Sequence, residues 1–167
     1  AMVDYRPGVY LTFDEMETLL QAWADAHPGL VTMESIGQTK FGKELWLLTL
    51  TDVETGAHSS KPAFWCDGNT HAGEVTGMQA CMHLLHTLLK GWDAGDARTV
   101  ALLRAATVYV LPRISADGAE MYLTTPFSCR SSPMMWPEPE PSPGLQVRSL
   151  YLLLGRLYLT RLDAMLS

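Results

Sequence analysis

Pro62-Ala63-Phe64-Trp65-Cys66, then Asp67-Gly68-Asn69-Thr70-His71-Ala72-Gly73-Glu74, then the amphipathic run Val75 to Lys90, is the stretch that decides the fold. The apolar run reads as a buried strand, the glycine-bearing segment as a loop, and the third part as a long helix. A loop at the carboxyl end of a strand, opening into a helix, is where α/β proteins place chemistry. His71 and Glu74 stand three apart in that loop. If the chain turns between them, an imidazole and a carboxylate converge on one point. Such a pair can grip a zinc ion while leaving a coordination position open. Taken alone the spacing is weak evidence, because about one histidine in eight has an acid three residues on by chance. The plain alternative is a loop histidine beside a glutamate that complements the helix dipole. Gly68 and Gly73, which let backbone approach a ligand, favour the site.

The helix can be tested by face. Val75, Met78, Cys81, Met82, Leu85, Leu88 and Leu89 share one side at helical spacing. Gln79, His83, His86, Thr87 and Lys90 share the other, so His83 and His86 are expected on a wet face rather than on a metal. Gly91 is the expected stop. Upstream, Thr12 and Glu15 form a capping-box signature, Met16, Leu19, Leu20 and Trp23 recur at helical spacing, and Pro28-Gly29 ends that helix. Leu30 to Ile36 and Glu44 to Thr51 read as two strands of a hairpin joined through Gly37 to Lys43. Asp52 to Lys61 reads as a polar loop. Downstream, Asp96 to Ala106 reads as a short helix and Thr107 to Leu111 as a strand ended by Pro112. A second loop, Arg113 to Gly118, follows at that strand's carboxyl end. Strand, helix, strand implies a βαβ crossover and at least one parallel pair. With the hairpin on one side, the sheet should be mixed.

The chain has 167 residues and a formal net charge of −6, which argues against nucleic acid as a partner. Its three cysteines, Cys66, Cys81 and Cys129, lack metal-type spacing, and a disulfide framework is not expected. Cys66 and Cys81 read as small core residues. Ala1 to Pro7 shows no charged-then-apolar pattern, so no signal peptide is visible in the residues given. No membrane span is expected, and a soluble chain of undetermined compartment follows. Five prolines between Pro133 and Pro143 mark residues 133–144 as an extended linker. Residues 145–167 are leucine-rich and apolar almost all round, a tail that needs a partner surface.

Several blocks, taken in order, resemble the zinc carboxypeptidases of the pancreatic and bacterial type. Tyr10 to Leu20 is similar to the family's first helix region, and Ile36-Gly37-Gln38-Thr39 with Gly42-Lys43-Glu44-Leu45 to its first hairpin. His71-Ala72-Gly73-Glu74 matches its His-x-x-Glu motif. Pro112 to Gly118 resembles its Asn-Pro-Asp-Gly loop, with Ser115 and Ala116 in place of the first two members. Arg130 falls where the family places an arginine that polarises the scissile carbonyl. The resemblance implies a three-layer αβα sandwich with a mixed sheet, zinc as cofactor and a peptide as substrate. It assigns His71 and Glu74 as two metal ligands. It gives Arg130 the oxyanion and substrate contact, a task suited to a permanent cation. Asp117 and Gly118 would shape their loop rather than touch substrate.

The departures weigh as much. The family uses a downstream histidine as third ligand, yet no histidine follows His86. It uses a late glutamate as general base, and Glu138 and Glu140 sit in the proline run. Residues 1–132 therefore read as the amino-terminal part of a carboxypeptidase-like domain, incomplete relative to the family. The expected function is zinc-dependent removal of a C-terminal residue, slow or absent in this chain. A zinc amidase or deacylase of related fold is one alternative. A non-catalytic fragment that associates through an exposed sheet edge or its tail is another.

Overall fold

The computed structural model describes residues 5–39 and 41–130. The proline-rich stretch 133–144 and the leucine-rich tail 145–167 lie outside them. The chain opens with helix α1, Phe13–Ala26. Thr12 and Glu15 form the expected capping box, Thr12 Oγ1 accepting from the Glu15 backbone while Glu15 accepts from the Thr12 N–H. Phe13, Met16, Leu19, Leu20 and Trp23 make its buried stripe. Strands β1, Val31–Gln38, and β2, Glu44–Leu50, pair antiparallel as the hairpin reading requires. The register slips between Ser35 and Gln38, where Gly37 lies, and Gly42 takes a positive φ of 80° in the turn that follows.

Asp52 to Lys61 is more than a polar loop. It makes two single 3-10 turns, Val53–Thr55 and His58–Ser60. Lys61 is buried within it, its Nζ donating to Thr51 Oγ1, the Asp52 carbonyl and Thr55 Oγ1. All three ammonium donors are thereby used, which is what allows a lysine to lie inside.

Strand β3, Ala63–Asp67, leads into helix α2, Val75–Asp93. Helix α3, Ala97–Ala105, follows with Asp96 as its N-cap, then strand β4, Thr107–Leu111. Helix α4, Ala116–Thr124, is the last described element. The sheet order is β1-β2-β4-β3, with β2 antiparallel and β3 parallel to β4. The mixed α/β sheet expected from the sequence is thus present. Its centre is mostly apolar: Leu45, Leu47, Leu48 and Leu50 of β2 and Val108 to Leu111 of β4 are all buried, with Thr49 and Thr107 among them. Helices α1 and α2 meet through Trp23, Tyr5 and His86, whose rings lie 5.2 to 6.2 Å apart.

His86, expected on a wet face, is instead half-buried against the Tyr5 and Trp23 rings, and four further expectations need correction. β3 is not a buried strand: among the described strands it occupies a sheet edge, and Ala63, Phe64 and Asp67 are exposed. Its apolar composition does not encode its place in the strand order, and only Trp65 and Cys66 are half-buried against the core. Gly91 does not stop α2, which runs through it to Asp93; Gly95, at φ +67°, is the residue just past the end. Gly91 instead serves packing, since a Cβ there would lie 2.5 Å from Thr99 Oγ1 of α3. Gln79, placed on the polar face, is buried under the amino-terminal arm: its Oε1 accepts from the Tyr5 hydroxyl at 2.9 Å and its Nε2 donates to the Val9 carbonyl. Finally, the loop Arg113 to Gly118 is half helix, because α4 begins at Ala116.

Candidate metal-binding loop

The loop between β3 and α2 is held from below by β4 and the turn after it. Gly68 N–H donates to the Leu111 carbonyl, extending the parallel pairing by one residue. Ile114 N–H then donates to Gly68 O and Ser115 N–H to Asn69 O, at 3.1 and 2.9 Å. The Ser115 hydroxyl adds a bond to Thr70 O at 2.9 Å. Two loops at the carboxyl ends of neighbouring parallel strands are therefore zipped together. Gly68 also lies against Gly77 of α2, where a Cβ would stand 2.5 Å from the Gly77 carbonyl oxygen. Glycine is required for that approach.

Asn69 bends the loop. It is the described non-glycine residue with positive φ, at 54°, a conformation asparagine tolerates better than most. Its side chain is buried, and its Nδ2 donates to the carbonyls of His71 and Ala72 at 2.7 and 3.1 Å. Glu74 N–H donates to His71 O at 3.0 Å, closing the turn. That turn brings the two candidate ligands together, with His71 Nδ1 2.9 Å from Glu74 Oε2. Glu74 occupies the N-cap position of α2 but makes no capping bond with its side chain. Its carboxylate is directed to His71, and its charge at the start of α2 also complements the helix dipole. Both side chains reach solvent, His71 at 35% and Glu74 at 62% relative exposure, so an incoming ligand has access.

Arg130 is brought to the same loop by its backbone: Ala72 N–H donates to Arg130 O at 2.8 Å. The residue itself is exposed. Asp117 is different. It is buried, with Oδ1 accepting from Thr39 Oγ1 at 2.7 Å, and it ties α4 to the β1–β2 connection beneath the loop.

Arg113 escaped the sequence reading. Its buried guanidinium donates through Nη2 to Leu11 O at 2.6 Å and stands 3.7 Å from Glu120. Glu120 in turn accepts from the Phe13 N–H at 2.8 Å. Burial pulls the guanidinium down to about 10, against the pull of Glu120, so it stays charged at neutral pH. This clamp joins the turn after β4 to the start of α1. No local pattern announces it, since Leu11 and Phe13, which complete it, lie far off in sequence.

The donor set can be weighed against a zinc ion. Two donors on a tetrahedral zinc, each bonded at about 2.0–2.1 Å, lie about 3.3 Å apart. A small opening of the His71–Glu74 contact reaches that spacing, and imidazole and carboxylate are suitable donors. Among the described residues, no third His, Cys, Asp or Glu joins them in a group that can hold a metal. The pair fits two positions of such a centre and does not by itself make a complete one.

Comparison with known proteins gives one consistent direction. A family profile described as zinc carboxypeptidase matches residues 16–137. Mouse Carboxypeptidase D is 33% identical over 117 residues, which are 62% of this chain and 8% of that protein. A zinc carboxypeptidase of Saccharothrix mutabilis subsp. capreolus is 27% identical over 116 residues, 70% of this chain and 26% of that protein. Among solved structures, thrombin activatable fibrinolysis inhibitor superposes with a TM-score of 0.70 at 18% identity, covering 88% of this chain and 44% of that one. The last of these speaks to fold alone. In each case the chain spans less than half of the protein it matches. Among the described residues no helix is long and apolar enough to cross a membrane.

Proposed function

Since the chain belongs to the zinc carboxypeptidase family, we propose that its β3–α2 loop is part of a zinc site for hydrolysis of a C-terminal peptide bond. His71 and Glu74 are the two ligands this chain would contribute. The observation that carries the reading is the 2.9 Å approach of His71 Nδ1 to Glu74 Oε2, with Glu74 left free of any capping duty. Zinc, when bound in such a centre, polarises a carbonyl and acidifies a water. Arg130, carried beside the loop by the Ala72 bond, would offer a permanent cation to the oxyanion of a peptide substrate. Asn69 and Ser115 would hold the loop's path so that little reorganisation is needed on binding.

With two ligands and no identified base, this chain should hydrolyse peptides slowly or not at all. Calorimetric titration with zinc tests the first half of that claim. Weak binding that disappears in His71→Ala is the expected result. Tight stoichiometric binding would overturn the two-ligand reading, and binding unchanged by His71→Ala would overturn the site. Hydrolysis assays separate the substrate classes. Turnover of peptides with varied C-terminal residues favours the exopeptidase, whereas turnover of an N-acyl amide in their place favours the related amidase or deacylase. A second reading, a non-catalytic fragment that binds a partner, is favoured by the lack of a third donor among the described residues and by the open edge of β3. Absence of both zinc binding and turnover would leave that reading standing.

A further inference from the structure

The side chains of Cys66 and Cys81 meet between β3 and α2, with their Sγ atoms 3.7 Å apart. Both are free thiols. We propose that they form a reversible disulfide that staples the two ends of the metal-binding loop. Cys66 is the penultimate residue of β3, and Cys81 lies on the second turn of α2. The bond would therefore close a ring containing the whole segment from Asp67 to Ala80, His71 and Glu74 included. The backbone beneath is already in place. Gly68 is packed closely against Gly77, and a Cβ on Gly68 would meet Cys81 Sγ at 3.0 Å, so only glycine there leaves the Cys81 thiol its room beside the strand end. Closing 3.7 Å to an S–S bond of about 2.05 Å asks the two sulfurs to approach by less than about 2 Å, a shift within reach of side-chain rotation.

The order of events follows from access. Cys66 is half-buried on an edge strand, whereas Cys81 is fully buried. Burial, followed by the neighbouring Cys66 and Asp67, pushes the Cys81 thiol up, so it is the poorer nucleophile of the first step. The oxidant is a low-molecular-weight disulfide, RSSR. Cys66 thiolate attacks one sulfur of RSSR, forming the Cys66–SR mixed disulfide and expelling RS⁻. Cys81, deprotonated as it attacks, then bonds to the Cys66 sulfur and expels the second RS⁻. The two protons given up by the cysteines end on the two released thiols, and the two electrons have reduced RSSR to two RSH. Excess thiol reverses both steps.

A ring closed around a loop narrows the unfolded ensemble and limits the loop's excursions. The test does not depend on the zinc reading. The protein is incubated with glutathione disulfide or with a phosphine reductant, alkylated, and digested with trypsin. A peptide holding both cysteines that is lighter by two hydrogens and refuses alkylation is the expected product. Oxidation should also raise Tm by about 5 °C in the parent and in Cys129→Ser. Cys81→Ser should instead retain a glutathione adduct on Cys66 and show no such rise. Because the parent is mapped directly, failure of a variant to fold does not remove the test. Separate glutathione adducts on Cys66 and Cys81, or a bridge from either to Cys129, would overturn the proposal. A Cys66–Cys81 bridge with unchanged Tm would overturn the stapling role.

Discussion

Asn69 shows how much of the loop rests on one side chain. Its amide donates to two carbonyls from within the fold while its backbone holds a positive φ. Asn69→Asp keeps the shape but turns a donor into an acceptor aimed at two other acceptors. It should destabilise the chain by about 2 kcal/mol or more in urea unfolding. Asn69→Gly relieves the backbone but loses both bonds and should cost less. If the two variants unfold alike, the amide does not hold the loop. Gly68 makes a second, steric prediction: Gly68→Ala must push against the Gly77 carbonyl and should cost about 1–3 kcal/mol by the same measurement. At this scale the sequence was informative where partners are near neighbours. His71 and Glu74 are three apart, and a single turn brings them together. Arg113 and Glu120 also lie close in sequence, but the clamp is completed by Leu11 and Phe13, about a hundred residues away. Nothing in the local pattern could reveal that closure.

Elements were legible to the degree that their own periodicity determines them. The apolar stripe of α2 was named residue by residue, and all of it is buried. Its end was not, because Gly91 looks like a terminator until Thr99 of α3 is seen against it. The same helix carries a pH prediction. His86 lies against the rings of Tyr5 and Trp23, with Lys90 and His83 nearby on its own helix. Burial, then the charges of Lys90 and His83, lower its pKa below the usual value. The unfolded chain, with an ordinary histidine near 6.5, then binds a proton that the folded chain resists. Stability from this site is fully present above about pH 6.5 and is lost as pH falls from there through the lower folded value. Thermal unfolding across that window should show a Tm falling with pH. His86→Gln should flatten the part of the slope due to this ring. An unchanged slope would assign it to other groups.

At the scale of the molecule, the strand order decides what the chain exposes. A strand's composition reports whether it is apolar but not whether it lies at the centre or the edge, and β3 was misread for that reason. Ala63-Phe64-Trp65-Cys66 is written like an interior strand, yet among the described strands its outer edge has no neighbour and Phe64 is exposed. The opposite edge differs. β1 carries Thr32, Glu34, Ser35 and Gln38, and its ladder is broken by the irregularity between Ser35 and Gln38, both of which discourage further pairing. β3 has no proline, lysine or bulge between Ala63 and Asp67 and, among the described residues, its outer edge offers backbone without a strand partner beside an aromatic surface. A second copy can satisfy both needs by pairing edge to edge. The chain should therefore associate as its concentration rises, with the change seen in sedimentation velocity. Phe64→Lys, a charge set on the exposed position, should shift that association to markedly higher concentration. Glu34→Ala on β1 should leave it in place. The reverse pattern would move the contact to the hairpin side of the sheet. Loss in neither variant would place it outside the sheet altogether.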